Sequence, residues 1–255
     1  GVRAVVIRGD LDQLSSPVYG YFIKDQPLVA MDKVRYEGDT LAAVAADTEA
    51  QAEAACALID FEFERLPDVP DIETALSETS AELFEDAPMG VVPKYGTGAT
   101  GTLRPIRNSC YSFRYETGDE AAFEQCDHIF EDEFRFSRMH HLHLEPFVTV
   151  ADASNDRIQL WSSCQNPFAL RKELGRLFGL PENLINLNSP FVGGGFGAKN
   201  NAKMEPLAVL LSKISGRPVR LCLTMEEGFL TNTQHATILK LKTGVMRDGK
   251  FVARR

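Results

Sequence analysis

The chain has 255 residues, of which 44% are hydrophobic and 25% are charged, and its formal net charge at pH 7 is −9. This composition is typical of a globular protein with one large domain or two ordinary ones. The negative charge argues against a nucleic-acid partner, since phosphate binding needs clustered Lys and Arg, and no apolar run of the sequence is long enough to span a membrane.

The first 80 residues predict an α/β domain. The stretch GVRAVVIRGDL predicts a strand followed by a turn, and TLAAVAA, at 40–46, predicts a second strand. Asp47 is placed to cap the Ala-rich helix that TEAQAEAACAL predicts. Residues 59–66 alternate apolar and acidic side chains, which predicts a half-buried strand with a solvated acidic face.

Residues 67–108 differ from the segments on either side. They are rich in Pro, Gly, Thr and acidic residues and have no clear period, so we predict a long connection that links two domains or wraps another surface. The predicted division is a domain at 1–80, a linker at 81–108 and a second domain at 109–255. The sequence begins without Met in one strand-like pattern and ends just after another, so we expect a part of a longer protein, incomplete at both ends.

The second domain predicts a mixed α/β fold. DHIFEDEFRFS and HLHLEPFVTVADA predict paired strands. DRIQLWSSC predicts a strand that runs into a helix, capped by Asn166 and ended by Gly179. NLINLNSPFV predicts a further strand, followed by a helix over KMEPLAVLLSKISG. RPVRLCLT predicts another strand, and the last residues predict a hairpin through Asp248-Gly249.

Two strand-to-helix corners of the second domain carry unusual residues. Gln165 stands just ahead of the first predicted helix, and Gly193–Gly197 precede the second. The N-terminus of a helix has unpaired N–H groups and favours negative charge. If the two strands are neighbours, both corners face one anionic or strongly polar ligand.

The glycine-rich corner fits more than one function. Gly193, Gly195 and Ala198 match the dinucleotide-binding pattern G-x-G-x-x-A, with Glu226 near the position of its acidic residue. A phosphate-binding P-loop is excluded, because Ala198 and Asn200 stand at two of its required positions. A third interpretation is that the glycines only permit close packing of a strand on a helix.

Other side chains with possible chemistry lie nearby in sequence. His141, His143 and Glu145 alternate in a predicted strand, as in a two-histidine, one-carboxylate metal site. Such ligands would stand about 13 Å apart at i and i+4, so we predict a structural pair and no metal-ligating side chain. Cys164 is either a nucleophile or, as is more usual, a buried small hydrophobe, and Lys199 is a donor for a phosphate or a carboxylate.

Five motifs of the chain occur in a known order. They are PLVAMDKVRYEGDTLAAVAADTEAQAEAACALIDFEFERLPDVPDIETAL, GDEAAFEQCDHIFEDEF with HHLHLEP, SSCQNPFALRKELGRLFGLPENLINL, VGGGFGAK and GRPVRLCLTMEEGFL. With them the chain resembles, over nearly its whole length, the large, molybdenum-binding subunit of the xanthine dehydrogenase/aldehyde oxidase/carbon monoxide dehydrogenase family, the molybdenum hydroxylases. Each motif alone is modest, but five in order are specific.

The resemblance implies a fold and a cofactor. The fold is a hammerhead α/β domain followed by the first molybdopterin-binding domain. The cofactor is molybdenum–molybdopterin, with the cytosine dinucleotide form as one option, and 2Fe–2S clusters and FAD are expected on partner domains or subunits. By residue matching, Gln165 would bond an apical oxygen ligand of molybdenum, and Gly194, Gly195, Phe196 and Gly197 would line the cofactor through their N–H groups.

The resemblance also implies a reaction, the oxidative hydroxylation of an N-heterocycle or an aldehyde with oxygen from water. Lys199 and Asn200 would line the substrate pocket. Family members that oxidise purines carry Glu directly after the signature Lys, so Asn200 argues against a xanthine-type substrate. The family's catalytic glutamate lies beyond residue 255, and we therefore expect no catalytic residue within this chain. The expected partners are the rest of the subunit and the iron–sulfur and FAD subunits or domains.

Two further functions stay open at this point. One is an NAD-binding oxidoreductase that uses the G-x-G-x-x-A turn, and the other is a non-catalytic assembly partner that kept the fold. The five cysteines stand singly, without a C-x-x-C pair, and no signal-peptide pattern is visible. These features argue against an iron–sulfur site in the chain and favour a cytoplasmic protein.

Overall fold

The computed structural model describes residues 1–20, 23–85, 100–103 and 108–255. The larger part of the predicted linker at 81–108 lies outside these residues. None of the helices in the described part of the chain has the length and apolarity that crossing a lipid bilayer requires.

The described elements are both strands and helices, as a mixed α/β fold predicts. In chain order, the strands are β1 (Val2–Val6), β2 (Val18–Tyr19), β3 (Gln26–Pro27), β4 (Ala43–Ala46), β5 (Thr100–Leu103), β6 (Tyr111–Arg114), β7 (His128–Phe136), β8 (Val148–Asp152), β9 (Ile158–Ser162), β10 (Ile185–Asn188), β11 (Val219–Cys222), β12 (Thr237–Val245) and β13 (Phe251–Arg254). The α-helices are α1 (Glu49–Cys56), α2 (Ile72–Leu76), α3 (Pro167–Phe178), α4 (Glu205–Ser215) and α5 (Met225–Thr231).

The chain forms two compact units, each built from segments that are distant in sequence. The first unit combines Gly1–Leu66 with His140–Thr233, and the second combines Pro67–Glu85 with described residues up to Met139 and with Gln234–Arg255. Each compact unit thus contains residues from more than one of the predicted ranges 1–80, 81–108 and 109–255. The division into domains at these positions stays a prediction.

The first unit contains a four-stranded mixed sheet with the order β10-β9-β8-β11. β9 lies antiparallel to β8 and parallel to β10, and β11 lies antiparallel to β8. A separate antiparallel pair joins β1 to β4. The parallel pairing of β9 and β10 matters most for function, because it sends the chain out of the sheet at the same edge twice.

Helix α3 confirms the prediction made from its local signals. The Asn166 side chain accepts a hydrogen bond from the backbone of Ala169, and Gly179 ends the helix with a φ of 65°. The apolar face is buried, and its fully or nearly fully buried leucines are Leu170, Leu174 and Leu177. These residues pack in the same core as the four-stranded sheet.

Helix α4 lies at the centre of the first unit. Its residues from Glu205 to Ser212 are all buried, and it packs against β8 and β11 of the mixed sheet as well as against β1 and β4. One apolar core therefore includes both sheets and both long helices. A helix that is apolar nearly all round is expected only where neighbours cover every side.

Two predictions for the N-terminal segment are wrong. Residues 59–66 form neither a helix nor a strand, and no strand of the described residues pairs with them; an alternating pattern forms a strand only where another strand pairs with it. Helix α1 is capped by Thr48, whose side chain accepts from the backbone of Gln51. Asp47 instead forms an ion pair with Arg3 of β1, so its carboxylate bonds the neighbouring strand and does not cap the helix.

The second unit is a three-stranded antiparallel sheet with the order β13-β12-β7 and a pair formed by β5 and β6. The turn between β12 and β13 confirms the predicted hairpin. Salt bridges from β12 to β7 line one face of this sheet, at Lys240–Glu133 and Lys242–Glu131. Such exposed pairs contribute little to stability, and this unit contains none of the predicted site residues.

Candidate functional site

The two predicted corners meet at one edge of the mixed sheet in the first unit. The backbone N–H of Gln165 donates to the carbonyl of Lys199 at 2.8 Å. The Ser189 hydroxyl donates to the carbonyl of Cys164 at 2.9 Å. The sequence predicted that the two corners meet if β9 and β10 are neighbours. The parallel pairing of these strands confirms this prediction.

The Gln165 side chain is oriented by the glycine corner. Its Oε1 accepts from the backbone N–H groups of Gly197 and Lys199, each at 3.2 Å. Since N–H groups can only donate, the oxygen must face them and the amide nitrogen must point elsewhere. No acceptor for that nitrogen is found among the described residues, so Gln165 presents two N–H donors away from the corner.

Protein side chains cover one face of the glycine corner, Gly193–Gly197. A Cβ added to any of the first three glycines would crowd a side chain of another segment. The added Cβ would lie 2.7 Å from Glu145 Cβ at Gly193, 3.3 Å from His143 Cβ at Gly194 and 2.4 Å from Gln165 Oε1 at Gly195. Close approach of these side chains therefore accounts for three of the four glycines. The predicted ligand has to use the other face.

That other face is open. Phe196 and Gly197 have φ values of 50° and 95°, and the N–H of Ala198 donates to the carbonyl of Gly195 at 2.8 Å. Positive φ at both central positions is typical of a type I′ turn. The Phe196 side chain is 73% exposed, and a Cβ on Gly197 would meet nothing within 4 Å.

The main-chain donors of the corner divide between the two faces. The N–H of Gly193 donates to Glu145, and that of Gly197, which we expected to face a cofactor, donates to Gln165. In the described part of the chain, the N–H groups from Gly194 to Phe196 have no protein acceptor. Three consecutive backbone donors are therefore without a partner in the described part of the chain, and of these residues Phe196 is exposed whereas Gly195 is buried.

Lys199 lies beneath the corner and not in open solvent. Its side chain is 1% exposed, and its Nζ lies 2.7 Å from Oε2 and 3.1 Å from the carbonyl of Glu145. Burial raises the pKa of Glu145, but hydrogen bonds from Lys199 and Gly193 lower it by more, so the pKa lies below its usual value. Asn200, the other residue predicted for a substrate pocket, is exposed.

The interpretation of His141, His143 and Glu145 as one face of a strand is wrong. These residues precede β8 and lie in an irregular segment in which Leu142 has a φ of 55°. Two contacts are those of a structural pair: His143 Nδ1 lies 2.6 Å from the carbonyl of Glu145, and the Glu145 carboxylate accepts from the backbone N–H of Gly193. His143 Nε2 is buried and has no partner among the described residues. No cluster of three potential metal ligands occurs among the described residues.

Cys164 has the surroundings of a structural residue. Its side chain is buried, and burial, followed by the nearby negative charge of Glu205, raises the pKa of its thiol. A thiol with a raised pKa is a poor nucleophile, since the thiolate is the reactive form.

The dinucleotide-binding context is absent at the glycine corner. That motif requires the glycines to open a helix directly, but α4 begins at Glu205, and residues 189–204 form neither helix nor strand. Glu226 lies in the first turn of α5 rather than at the end of a strand. The open donors therefore do not have the arrangement that binds a dinucleotide pyrophosphate.

Comparisons with known proteins identify the family of this chain. The family model described as "Molybdopterin cofactor-binding domain" matches residues 104–255. The model described as "Aldehyde oxidase and xanthine dehydrogenase, a/b hammerhead domain" matches residues 1–67. The chain therefore belongs to the xanthine dehydrogenase and aldehyde oxidase family of molybdenum hydroxylases. Within that family it corresponds to part of the molybdenum-binding large subunit.

Individual relatives are longer than this chain. It is 33% identical to a probable xanthine dehydrogenase subunit of Bacillus subtilis, over 99% of the chain and 31% of that protein. It is 30% identical to the nicotinate dehydrogenase large molybdopterin subunit of Eubacterium barkeri, over 92% of the chain and 51% of that protein. The chain thus spans about a third and about half of the lengths of these relatives.

Solved structures share the fold along the whole chain. A crystal structure of the Cu,Mo-CO dehydrogenase aligns with a TM-score of 0.85 at 28% identity, covering 100% of this chain and 32% of that one. Quinoline 2-oxidoreductase from Pseudomonas putida 86 aligns with a TM-score of 0.78 at 28% identity, covering 100% and 31%. The predicted fold class, a hammerhead domain followed by a molybdopterin-binding domain, is confirmed.

Proposed function

We propose that this chain forms the cofactor-facing part of a molybdenum hydroxylase that oxidatively hydroxylates an N-heterocycle or an aldehyde with oxygen from water. The observation that carries this proposal is the open face of the glycine corner. There the Gln165 amide and the N–H groups from Gly194 to Phe196 are donors without acceptors in the described part of the chain. Such a set of donors can bind an acceptor that comes from outside the described residues.

A molybdenum–molybdopterin group fits this set of donors, because its oxo and phosphate oxygens accept hydrogen bonds. Well-aimed N–H donors to such oxygens contribute roughly 1–3 kcal/mol each. When bound, the group would supply two-electron redox chemistry and a water-derived nucleophile at neutral pH. In this chain, Gln165 would orient an oxygen ligand, and the N–H groups from Gly194 to Phe196 would hold the edge of the cofactor.

The substrate and the partners are part of the same proposal. Asn200 is exposed beside the corner and offers a neutral amide that cannot take up a proton, which supports a non-purine N-heterocycle or an aldehyde over a xanthine-type substrate. Nicotinate dehydrogenase and quinoline 2-oxidoreductase, two proteins to which the chain is similar, are named after N-heterocycles. The catalytic glutamate, 2Fe–2S clusters and FAD would lie in the rest of the complex, and we keep a cytoplasmic location and the cytosine dinucleotide form as expectations.

The test is the molybdenum and pterin content of the whole purified complex with Gln165→Glu. Glutamate keeps an acceptor for Gly197 and Lys199 but loses both donors and adds a negative charge. We expect a folded complex with roughly tenfold less bound cofactor. The matched control is Gln159→Glu in β9, where the side-chain oxygen accepts from Asn186 and an acceptor is again retained.

Two results would contradict the proposal. One is a folded Gln165→Glu complex that holds as much molybdenum and pterin as the Gln159→Glu control. The other is an unsubstituted complex that holds neither, which would support a non-catalytic assembly partner with the same fold.

A further inference from the structure

The glycine corner is held at both ends by a single residue, Glu145. At the start of the corner, Gly193 donates its N–H to Glu145 Oε2 at 2.9 Å and accepts from the N–H of Glu145 at 3.2 Å. Just after the corner, Lys199 bonds the same Oε2 and the carbonyl of Glu145 through its ammonium group. The carboxylate thus links the first residue of the corner to the residue that follows its turn.

This link comes from outside the corner. Glu145 precedes β8 and lies 54 residues before Lys199 in sequence. Its backbone carbonyl also accepts from His143 Nδ1 at 2.6 Å, which holds the Glu145 main chain in place. The corner therefore depends on a second segment for its shape, while its open face carries the donors described above.

We propose that Glu145 and Lys199 are positioning residues, which set the distance and angle at which the open N–H groups of the glycine corner meet the cofactor. This inference rests on the proposed function of the same corner. Neither side chain touches the cofactor in this scheme. Both act through the main chain of Gly193–Gly197.

The burial of Lys199 makes positioning separable from stability. The Lys199 side chain is 1% exposed and that of Glu145 is 28% exposed, so removal of the Glu145 charge alone leaves the buried Lys199 ammonium uncompensated and destabilises the fold, whereas removing both charges together is often close to neutral. An apolar or neutral pair of similar size would therefore restore folding. It would not restore the two charged hydrogen bonds that hold Gly193 and Lys199 at a fixed separation.

The experiment compares Glu145→Gln, Lys199→Met and the double variant in the whole purified complex. Two quantities are measured: the thermal unfolding midpoint, and the molybdenum and pterin bound per folded subunit. We expect each single variant to lower both. The double variant should recover most of the unfolding midpoint but keep roughly tenfold less cofactor than the unsubstituted complex.

The matched control is Glu173→Gln, which breaks another partly buried ion pair of the first unit, with Lys24 and Arg176. It should lower the unfolding midpoint without lowering the cofactor content per folded subunit. If the double variant does not accumulate, the comparison of Glu145→Gln with Glu173→Gln decides instead. Equal cofactor loss in these two variants would overturn the inference.

Recovery of both quantities in the double variant would also overturn the inference, because the pair would then be a structural link only. An unsubstituted complex without molybdenum and pterin would overturn the proposed function itself, and this inference with it. The two failures are therefore distinguished by the unsubstituted complex.

Discussion

The two corners that frame the candidate site are built in different ways. The first leads from β9 into α3 within a few residues, and its capping residue Asn166 is a sequence neighbour of the helix it caps. The second crosses residues 189–204 without helix or strand, and its shape depends on Glu145, His143 and Gln165 from other segments. The first corner also bonds the second through Gln165 and Cys164, but its helix cap is local and tolerates change elsewhere, whereas a corner shaped by distant side chains can be displaced by any of them.

The largest effect that would test this difference is expected from Gly193→Ala. The new Cβ would lie 2.7 Å from Glu145 Cβ, which is close to the main chain and cannot move without the segment around it. Overpacking of this kind costs about 1–3 kcal/mol, and we expect a value near the upper end from denaturant unfolding of the subunit.

Gly197→Ala provides the contrast within the same corner. Its Cβ would meet nothing within 4 Å, so only the φ of 95° opposes the substitution, at a cost of about 1–2 kcal/mol. If Gly197→Ala were the more damaging of the two changes, packing by distant side chains would not be what shapes the corner.

A smaller, pH-dependent effect is expected at Glu145. Its folded-state pKa lies below the ordinary value of 4.5, so its contribution to stability is complete above that value and is lost as the pH falls through the folded pKa. Protonation would also weaken the bonds to Lys199 and Gly193, while His143 faces the Glu145 carbonyl rather than the carboxylate.

The measurement is the difference in unfolding midpoint between the unsubstituted protein and Glu145→Gln, followed from neutral pH to below pH 4.5. We expect this difference to narrow as the pH falls. A constant difference over the whole range would mean that the Glu145 carboxylate gains nothing from its partners in the folded state.

A stabilising effect of about 1 kcal/mol is expected from Phe196→Asn, because Asn tolerates a φ of 50° better than Phe does. The Phe196 ring is mostly exposed, so little packing is lost from the isolated chain. We expect a higher unfolding midpoint together with weaker cofactor retention in the complex. A lower midpoint would show that the ring contributes more packing than its exposure indicates.

The smallest effect is expected at the first corner, from Asn166→Ala. The cap bond from the Ala169 N–H to Asn166 is long, at 3.4 Å, so its loss should cost about 0.5–1 kcal/mol, measured by denaturant unfolding. Cofactor content per folded subunit should stay unchanged. A large loss of cofactor would mean that the first corner is no more independent than the second.

Sequence alone predicted the elements whose signals are local. Helix α3 carries its cap, its apolar face and its terminal glycine within one short stretch, and the hairpin between β12 and β13 carries its turn residues. The sequence also predicted that Gln165 and the glycines meet, because each stands at the end of a strand. That prediction held only if the two strands are neighbours in the sheet. The structure meets this condition, because β9 and β10 pair in parallel.

The missed features depend on pairing across the chain. Residues 59–66 have the alternation of a strand but pair with no strand in the described part of the chain, and Asp47 bonds Arg3 instead of capping the helix that starts beside it. The Glu145–Lys199 pair joins residues 54 positions apart, so no local pattern could reveal it. The one available signal was the glycine run itself, since consecutive glycines indicate that something packs closely against the backbone.

The shared core of the first unit has a consequence for dissecting this protein. Helix α4 packs against β1 and β4 as well as against β8, so a fragment that started after residue 67 would expose to water one side of a helix whose residues from Glu205 to Ser212 are all buried. Boundaries recognised by sequence families, here between 67 and 104, are thus not places where the chain can be cut. Swapping the N-terminal segment between relatives would require the surface of α4 to be exchanged with it.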